Sequence, residues 1–107
     1  MTMVWRLGAT NPRLHMPRLH AFIRGRVQGV FFRASIVEQA LALDIAGFVR
    51  NRHDGAVEVV AEGAADALAT LRSYCEQGPP GALVRVVDVI DEQESGEFRG
   101  FGFRPDA

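Results

Sequence analysis

The chain contains the segment GRVQGVFFR at residues 25–33, in which two glycines four positions apart are followed by apolar residues and an arginine. An alternating strand pattern precedes this segment, with Leu19, Ala21 and Ile23 on one side. A helical pattern follows it over residues 33–43. A loop that leads from a strand into a helix exposes unpaired backbone N–H groups. The segment therefore predicts an anion-binding site at the start of the helix.

Three features of this loop favour a bound anion. Gly25 and Gly29 permit backbone angles at which successive N–H groups converge. The helix N-terminus adds partial positive charge, whereas Arg33 in the first helical turn opposes the helix dipole. A broken local rule of this kind often marks a site. The alternative is a tight structural connection in which Arg33 pairs with a surface carboxylate, because two glycines without a Walker lysine or a Rossmann triplet are a weak motif.

The remaining segments predict two more strands in a hairpin, a second helix and two final strands. The hairpin is IAGFVRNRHDGAVEVVAEG, with its turn at Asp54-Gly55. The second helix is expected over residues 64–77, where GPPG follows it. Its predicted buried stripe consists of Ala64, Ala67, Leu68, Leu71 and Cys75; that of the first helix consists of Ile36, Ala40 and Leu43, with Val37 and Leu41 beside it. The last strands are ALVRVVDVI and the short FRGFGF.

This order, β-α-β-β-α-β plus a short fifth strand, predicts an α+β sandwich. Two helices should cover one face of a mainly antiparallel sheet. The first two strands should run parallel through a right-handed crossover, which gives the strand order 4-1-3-2 with the fifth strand at an edge. The glycine loop and Asn51 would then lie about two strand spacings, roughly 10 Å, apart.

Composition and charge set the broad class. A chain of 107 residues with 48% apolar content fits one soluble globular domain. The N-terminal residues lack a signal-peptide pattern, and the single cysteine excludes an internal disulfide, so we expect a cytoplasmic protein. Residues 1–52 carry eight arginines against two carboxylates, whereas residues 53–107 carry four against eleven. The basic half contains the glycine loop, which agrees with an anionic ligand.

The first 18 residues show no sustained hydrophobic period. We expect residues 1–18 to form a disordered or loosely attached extension. Residues 19–107 are expected to form the folded domain.

Both long motifs of the chain resemble one family. GRVQGVFFR looks like the first signature of the acylphosphatases, and GFVRNRHDGAVEVVAEG (residues 47–63) looks like the second. The segments YCEQGPPGALV and GEFRGFGFR resemble the remaining strands of the family. The resemblance covers about residues 19–104 and is to the small, standalone bacterial-type acylphosphatases.

The resemblance implies a ferredoxin-like fold that hydrolyses acyl phosphates to a carboxylate and inorganic phosphate. It implies that Arg33 binds the phosphate and that Asn51 positions the attacking water. The backbone of residues Gln28, Gly29, Val30 and Phe31 would form the phosphate cradle. The resemblance implies no metal and no cofactor. We expect a monomer without nucleic-acid or membrane partners, for which inorganic phosphate is both product and competitive ligand.

One residue departs from the family pattern. Asp44 stands where the family usually has glycine at the end of the first helix. Aspartate tolerates the left-handed conformation needed there at some cost, so the departure concerns local stability and not the chemistry.

Other functions remain open from the sequence. RNA-recognition domains share the topology and display aromatic side chains on the sheet; Phe22, Phe48 and Phe98 could lie on strands, although carboxylates such as Glu58 and Glu62 would share that face. A non-catalytic anion-binding or regulatory module is the main alternative to the enzyme. A module of a larger carbamoyl-transfer enzyme is a further one, which the length of 107 residues makes less favourable.

Overall fold

The computed structural model describes residues 17–90 and 92–107. Residues 1–16 of the expected extension lie outside the described part, so the nature of that extension stays a prediction. The elements, in chain order, are β1 (Arg18–Arg26), α1 (Phe32–Ala42), β2 (Ala46–Asn51), β3 (Val57–Glu62), α2 (Ala65–Gln77), β4 (Leu83–Ile90) and β5 (Phe101–Phe103). The first strand therefore begins one residue before the predicted start of the domain.

The sheet has the predicted order, β4-β1-β3-β2, with β5 added at the edge beside β2. β3 lies between β1 and β2 and is antiparallel to both. β4 is antiparallel to β1, and β5 is parallel to β2. Three antiparallel pairings and one parallel pairing confirm a mainly antiparallel sheet. The carboxyl ends of β1 and β2 consequently lie at the same edge, which brings the glycine loop and Asn51 to one side of the molecule.

The core lies between the sheet and the two helices. Alternation along β1 places Leu19, Ala21 and Ile23 in this core, as predicted, because successive side chains of a strand point to opposite faces. β3, the central strand, is buried along its whole length: alternate apolar side chains face the core, and polar partners cover Glu58 and Glu62 on the opposite face. Among the described helices, none is long and apolar enough to cross a membrane.

The helices bury the predicted stripes with two exceptions. Ile36 and Ala40 of α1 are fully buried, as are Leu71 and Cys75 of α2. Leu41 is exposed, because it lies on the far side of α1 from the sheet. Burial raises the pKa of the Cys75 thiol to about 12, so this cysteine is an unreactive core residue. The second exception is Ala64, which precedes α2 as its N-cap and is exposed.

Asp44 follows the end of α1 in the left-handed conformation that glycine usually adopts after a helix. Its φ angle is 57°, in the left-handed region. The N–H of Ile45 donates to the carbonyl of Ala40 at 2.9 Å, and the N–H of Asp44 donates to that of Leu41 at 3.2 Å. These two bonds form a Schellman motif, in which glycine is the usual residue. Aspartate occupies the position at some cost in conformational energy.

Candidate active site

The loop after β1 depends on glycine for its geometry. β1 shifts register against β4 between Arg24 and Gly25, and Gly25 has a φ angle of 133°. A Cβ atom at Gly25 would lie 2.1 Å from the carbonyl oxygen of Leu83, so no larger residue fits there. Gly29 has a φ angle of 77° and nothing within 4 Å of an added Cβ atom. Conformation, and not space, therefore favours glycine at position 29.

The start of α1 presents free backbone donors. The helix begins at Phe32, and Phe31 precedes it with a φ angle of 61° and no side-chain capping bond. Within the described first turn of α1 there is no acidic side chain. The first N–H groups of a helix have no intrahelical acceptor. These N–H groups, together with the helix dipole, therefore suit an anion.

A cavity of about 320 Å³ lies at this helix start. Its described lining residues are Val27, Gly29, Phe31, Phe32, Arg33, Ala34, Asn51 and Phe103. Four of the six residues expected at the site, Gly29, Phe31, Arg33 and Asn51, thus share one cavity. Gln28 and Val30 are not among the lining residues. Arg33 has the one charged side chain in the described lining, so the cavity favours a negatively charged ligand.

Asn51 is the last residue of β2 and lies opposite Val57 of β3. Its backbone carbonyl accepts the N–H of Ala107 at 3.0 Å. Its side-chain Oδ1 is buried and has no hydrogen-bond partner among the described residues. A buried acceptor without a partner is costly. Asn51 can therefore accept a hydrogen bond from a molecule in the cavity that it lines.

The side chain of Gln28 connects the loop to the β2–β3 hairpin. Its Nε2 donates to the carbonyls of Arg52, at 2.7 Å, and Ala56, at 2.9 Å. The hairpin turn itself is held by Asp54, whose carboxylate accepts the N–H of Ala56 at 3.1 Å. That hydrogen bond is the main reason why the pKa of Asp54 lies below its ordinary value. The side chain of Gln28 therefore ties together the two segments that carry the site.

The C-terminal segment adds two residues that the sequence did not indicate. A guanidinium nitrogen of Arg33 lies 3.8 Å from a carboxylate oxygen of Asp106. The guanidinium carbon of Arg33 also lies 5.9 Å from the ring centroid of Phe103. The segment FRGFGF indicated a strand, but no local signal places a three-residue strand beside β2. The alternative in which Arg33 pairs with a surface carboxylate thus has a structural counterpart, although the pair is long.

The open face of the sheet does not resemble an RNA-binding surface. Phe98 lies outside the strands, contrary to the prediction, because residues 92–100 form a loop. Arginine side chains lie over Phe22 and Phe48, at 5.2 Å from Arg52 and 4.0 Å from Arg104 respectively. Phe48 is moreover buried and Phe22 is half-buried, so neither ring is exposed for stacking on bases.

The described residues show no candidate metal centre. Within residues 17–90 and 92–107, no group of three or more His, Cys, Asp and Glu side chains is placed to hold a metal ion. The chemistry that the cavity can offer is anion binding by N–H groups and an arginine, with a neutral amide beside them.

Comparisons with known proteins agree with this geometry. The family model for acylphosphatases matches residues 19–103. The chain is 48% identical to an acylphosphatase of Aeropyrum pernix over 91% of this chain and 97% of that relative. It is 47% identical to one of Pyrobaculum aerophilum, over 86% and 98%. The crystal structure of acylphosphatase from Bacillus subtilis superposes with a TM-score of 0.80 at 32% identity, covering 83% of this chain and 99% of that one. The chain therefore belongs to the acylphosphatase family.

Proposed function

We propose that this acylphosphatase hydrolyses acyl phosphates to a carboxylate and inorganic phosphate in the cavity at the start of α1. The observation that carries the proposal is that Gly29, Arg33 and Asn51 line the same cavity, although they come from a loop, a helix and a strand. That combination supplies a phosphate cradle and a group able to orient water. It agrees with the activity named for the relatives.

The phosphoryl group is held by backbone N–H groups of Gln28, Gly29, Val30 and Phe31 and by the guanidinium of Arg33. A phosphoryl group carries a charge of about −1.5 to −2 at neutral pH. Arginine forms two parallel hydrogen bonds to such a group. The same donors become more effective as charge builds up on the phosphoryl oxygens in the transition state. Binding and rate therefore both depend on Arg33.

Asn51 positions the attacking water through its unpaired Oδ1. The water oxygen bonds to phosphorus as the bond between phosphorus and the acyl oxygen breaks. An amide cannot take the proton of the water at neutral pH, so this proton goes to a phosphoryl oxygen of the substrate. The carboxylate leaving group is weakly basic and departs without a proton donor. Catalysis is then positioning combined with charge stabilisation.

Replacing Arg33 or Asn51 by alanine should affect kcat and phosphate affinity differently. Arg33→Ala should lower kcat by about 10²- to 10³-fold, which is the scale for loss of one charge-stabilising donor. It should also weaken phosphate binding about 10-fold or more, since charge-assisted hydrogen bonds contribute about 1.5–3 kcal/mol. Asn51→Ala should lower kcat about 10²-fold but change phosphate affinity by less than about 1 kcal/mol. Benzoyl phosphate turnover and calorimetric phosphate titration measure both quantities.

Two controls accompany these variants. Arg72→Ala removes a half-exposed arginine from α2, far from the cavity, and should leave both quantities unchanged. Arg33→Lys should rescue poorly, because lysine lacks the planar fork. If Asn51→Ala loses phosphate as severely as Arg33→Ala, then Asn51 is a phosphate ligand and not a water ligand. If folded Arg33→Ala and Asn51→Ala both remain fully active, the site is elsewhere.

We also propose that the enzyme works in the cytoplasm as a monomer, without a metal or a cofactor. The reaction as written needs no metal and no cofactor, and the single buried Cys75 is compatible with a cytoplasmic monomer. The same benzoyl phosphate assay after exhaustive chelation should give an unchanged rate. Light scattering should give the mass of one chain, 11.7 kDa. Activity that returns only with added metal would contradict this part of the proposal.

A further inference from the structure

Two exposed phenylalanine rings lie at the cavity that contains Arg33 and Asn51. The side chain of Phe31 is 84% exposed, and that of Phe103 is 58% exposed. The other large apolar side chains with high exposure in the described part of the chain lie on α1 and β4 and do not line the cavity; they are Leu41, Leu83, Val86 and Ile90. Exposed apolar surface beside a pocket is typical of ligand contact.

The backbone at Phe31 is in a conformation that disfavours this residue type. A φ angle of 61° is uncommon for any residue except glycine, and it is a clear outlier for a bulky side chain. The loop uses glycine at positions 25 and 29, yet it has phenylalanine here. Strained positions with exposed side chains concentrate at ligand sites. The exposed ring of Phe31, at a strained position beside the cavity, therefore points to ligand contact.

Phe103 lies at the cavity on β5, a different element from the loop that contains Phe31. It is the last residue of β5 and pairs with Val49 of β2. Side chains two positions apart share a face of a strand, so Phe103 lies on the same face as the buried Phe101 but beyond the cover of the core. Its ring centroid is 5.9 Å from the guanidinium carbon of Arg33. The ring of Phe103 therefore lies beside the side chain that is proposed to bind the phosphoryl group.

The cavity has room for more than a phosphoryl group. At the roughly 30 Å³ that one water occupies in the liquid, five non-hydrogen atoms of a phosphoryl group would take at most about 150 Å³. The cavity has about 320 Å³. The described lining has no carboxylate, and Asp106, which pairs with Arg33, is not one of the lining residues. An apolar acyl group therefore suits the lining better than a cationic one.

Resting on the proposed function, we infer that Phe31 and Phe103 form a binding site for the acyl group and select substrates with an apolar, above all aromatic, acyl group. The acyl carbon is joined to the phosphoryl through a single oxygen. An aromatic acyl group can contact a phenylalanine ring at the centroid separations of about 4.5–7 Å that aromatic pairs favour. A short acyl group such as acetyl has no ring to make this contact.

The first test compares benzoyl phosphate with acetyl phosphate in wild type, Phe31→Ala, Phe103→Ala and the double variant. The quantity of interest is the ratio of kcat/KM for the two substrates, because dividing the variant ratio by the wild-type ratio removes their different intrinsic reactivity. Each single change should lower the ratio about 3- to 10-fold, which is the scale of one aromatic contact. Leu41→Ala is the matched control, since it truncates an equally exposed apolar residue outside the cavity, and it should leave the ratio unchanged. An unchanged ratio in the folded double variant overturns the inference.

A second test needs no turnover. Calorimetry compares benzylphosphonate with methylphosphonate, which are both stable to hydrolysis. Wild type should bind benzylphosphonate about 10-fold more tightly, and the double variant should lose this advantage. Equal affinities in wild type, or an equal loss for both phosphonates in the variant, would assign the rings to the phosphate end and overturn the inference. If neither acyl phosphate is hydrolysed but the phosphonate difference depends on the rings, the binding site stands and the proposed function fails.

Discussion

At the scale of single residues, the proposed function makes the phosphoryl group compete with a carboxylate for Arg33. The carboxylate of Asp106 lies 3.8 Å from its guanidinium, and both side chains are about half exposed. An exposed ion pair at this distance contributes at most about 1 kcal/mol. A phosphoryl group has more charge than a carboxylate and can receive two parallel hydrogen bonds. If Arg33 binds the phosphoryl group as proposed, Asp106 holds Arg33 near the cavity in the free protein and yields when phosphate enters.

Replacing Asp106 should reveal this competition. Asp106→Asn removes the competing charge and should tighten inorganic phosphate binding about 2- to 5-fold at low ionic strength, with a smaller effect at high salt. Calorimetric titration of phosphate at two salt concentrations measures it. Asp66→Asn is the control, since it removes an exposed carboxylate at the start of α2, away from the cavity. Identical affinities for wild type and Asp106→Asn at low salt would mean that the pair does not compete with phosphate.

At the scale of elements, the sequence predicted the features that depend on residues close together along the chain. The alternation in β1, the Asp54-Gly55 turn and the strand order followed from the sequence, and so did the cavity that Arg33 and Asn51 share. Phe103 and Asp106 could not be predicted as site residues. Phe103 lines the cavity because β5 pairs with β2, and Asp106 comes close to Arg33 because the N–H of the next residue, Ala107, donates to the carbonyl of Asn51 at 3.0 Å. Such pairing between distant segments leaves no periodicity in a three-residue strand.

The hydrogen bonds between the loop and the hairpin likewise could not be predicted from the sequence. The side chain of Gln28 donates to the carbonyls of Arg52 and Ala56. Each carbonyl also accepts a backbone N–H, from Gly55 and Arg52 respectively, so neither is left without a partner if Gln28 is changed. Gln28 thus acts by positioning the loop, and its loss should affect the site more than the fold.

The value of kcat should fall in the order glutamine, alanine, glutamate at position 28. Gln28→Ala should lower stability by only about 1 kcal/mol and lower kcat about 10-fold through loss of loop alignment. Gln28→Glu should be worse than alanine near neutral pH, because an ionised carboxylate would face two carbonyl oxygens. Denaturant unfolding and benzoyl phosphate kinetics measure both effects, with Gln39→Ala in α1 as the control. If glutamate proves as good as glutamine, the two hydrogen bonds do not align the loop.

At the scale of the whole molecule, four arginines in the described part of the basic half pair with carboxylates of the acidic half. They lie on β1, on β2 and directly after β2, and the carboxylates lie beside them on β3, β4 and the following loop. The pairs within 3.2 Å are Arg18–Glu62, Arg18–Glu92, Arg24–Asp88, Arg50–Glu58 and Arg52–Glu58. These arginines are therefore engaged within the sheet, whereas Arg33 is the arginine that lines the cavity in the described part of the chain.

Glu58 is the most buried carboxylate of this network, with 5% of its side chain exposed. Burial alone would raise its pKa, but hydrogen bonds from Arg50, His20 and Arg52 outweigh this effect and hold the pKa below its ordinary value. A carboxylate with a lowered pKa in the folded state stabilises the fold above its unfolded-state pKa, which is about 4.3 for glutamate. This stabilisation is lost as the pH falls through the lower, folded-state value.

Glu58→Gln should therefore change the acid limb of the stability curve. Near pH 7 the variant should lose about 1.5–3 kcal/mol of unfolding free energy, the scale for hydrogen bonds to a charged group. The difference from wild type should shrink as the pH falls below about 4.3, because wild-type Glu58 becomes protonated and neutral as well. Denaturant unfolding at intervals of about one pH unit between pH 3 and pH 7 gives the unfolding free energy of both proteins as a function of pH. Glu38→Gln, on the exposed side of α1, is the matched control. Its unfolding free energy should depend on pH in the same way as that of wild type. A Glu58→Gln curve that stays parallel to wild type down to the lowest pH would show that the charge of Glu58 does not stabilise the sheet.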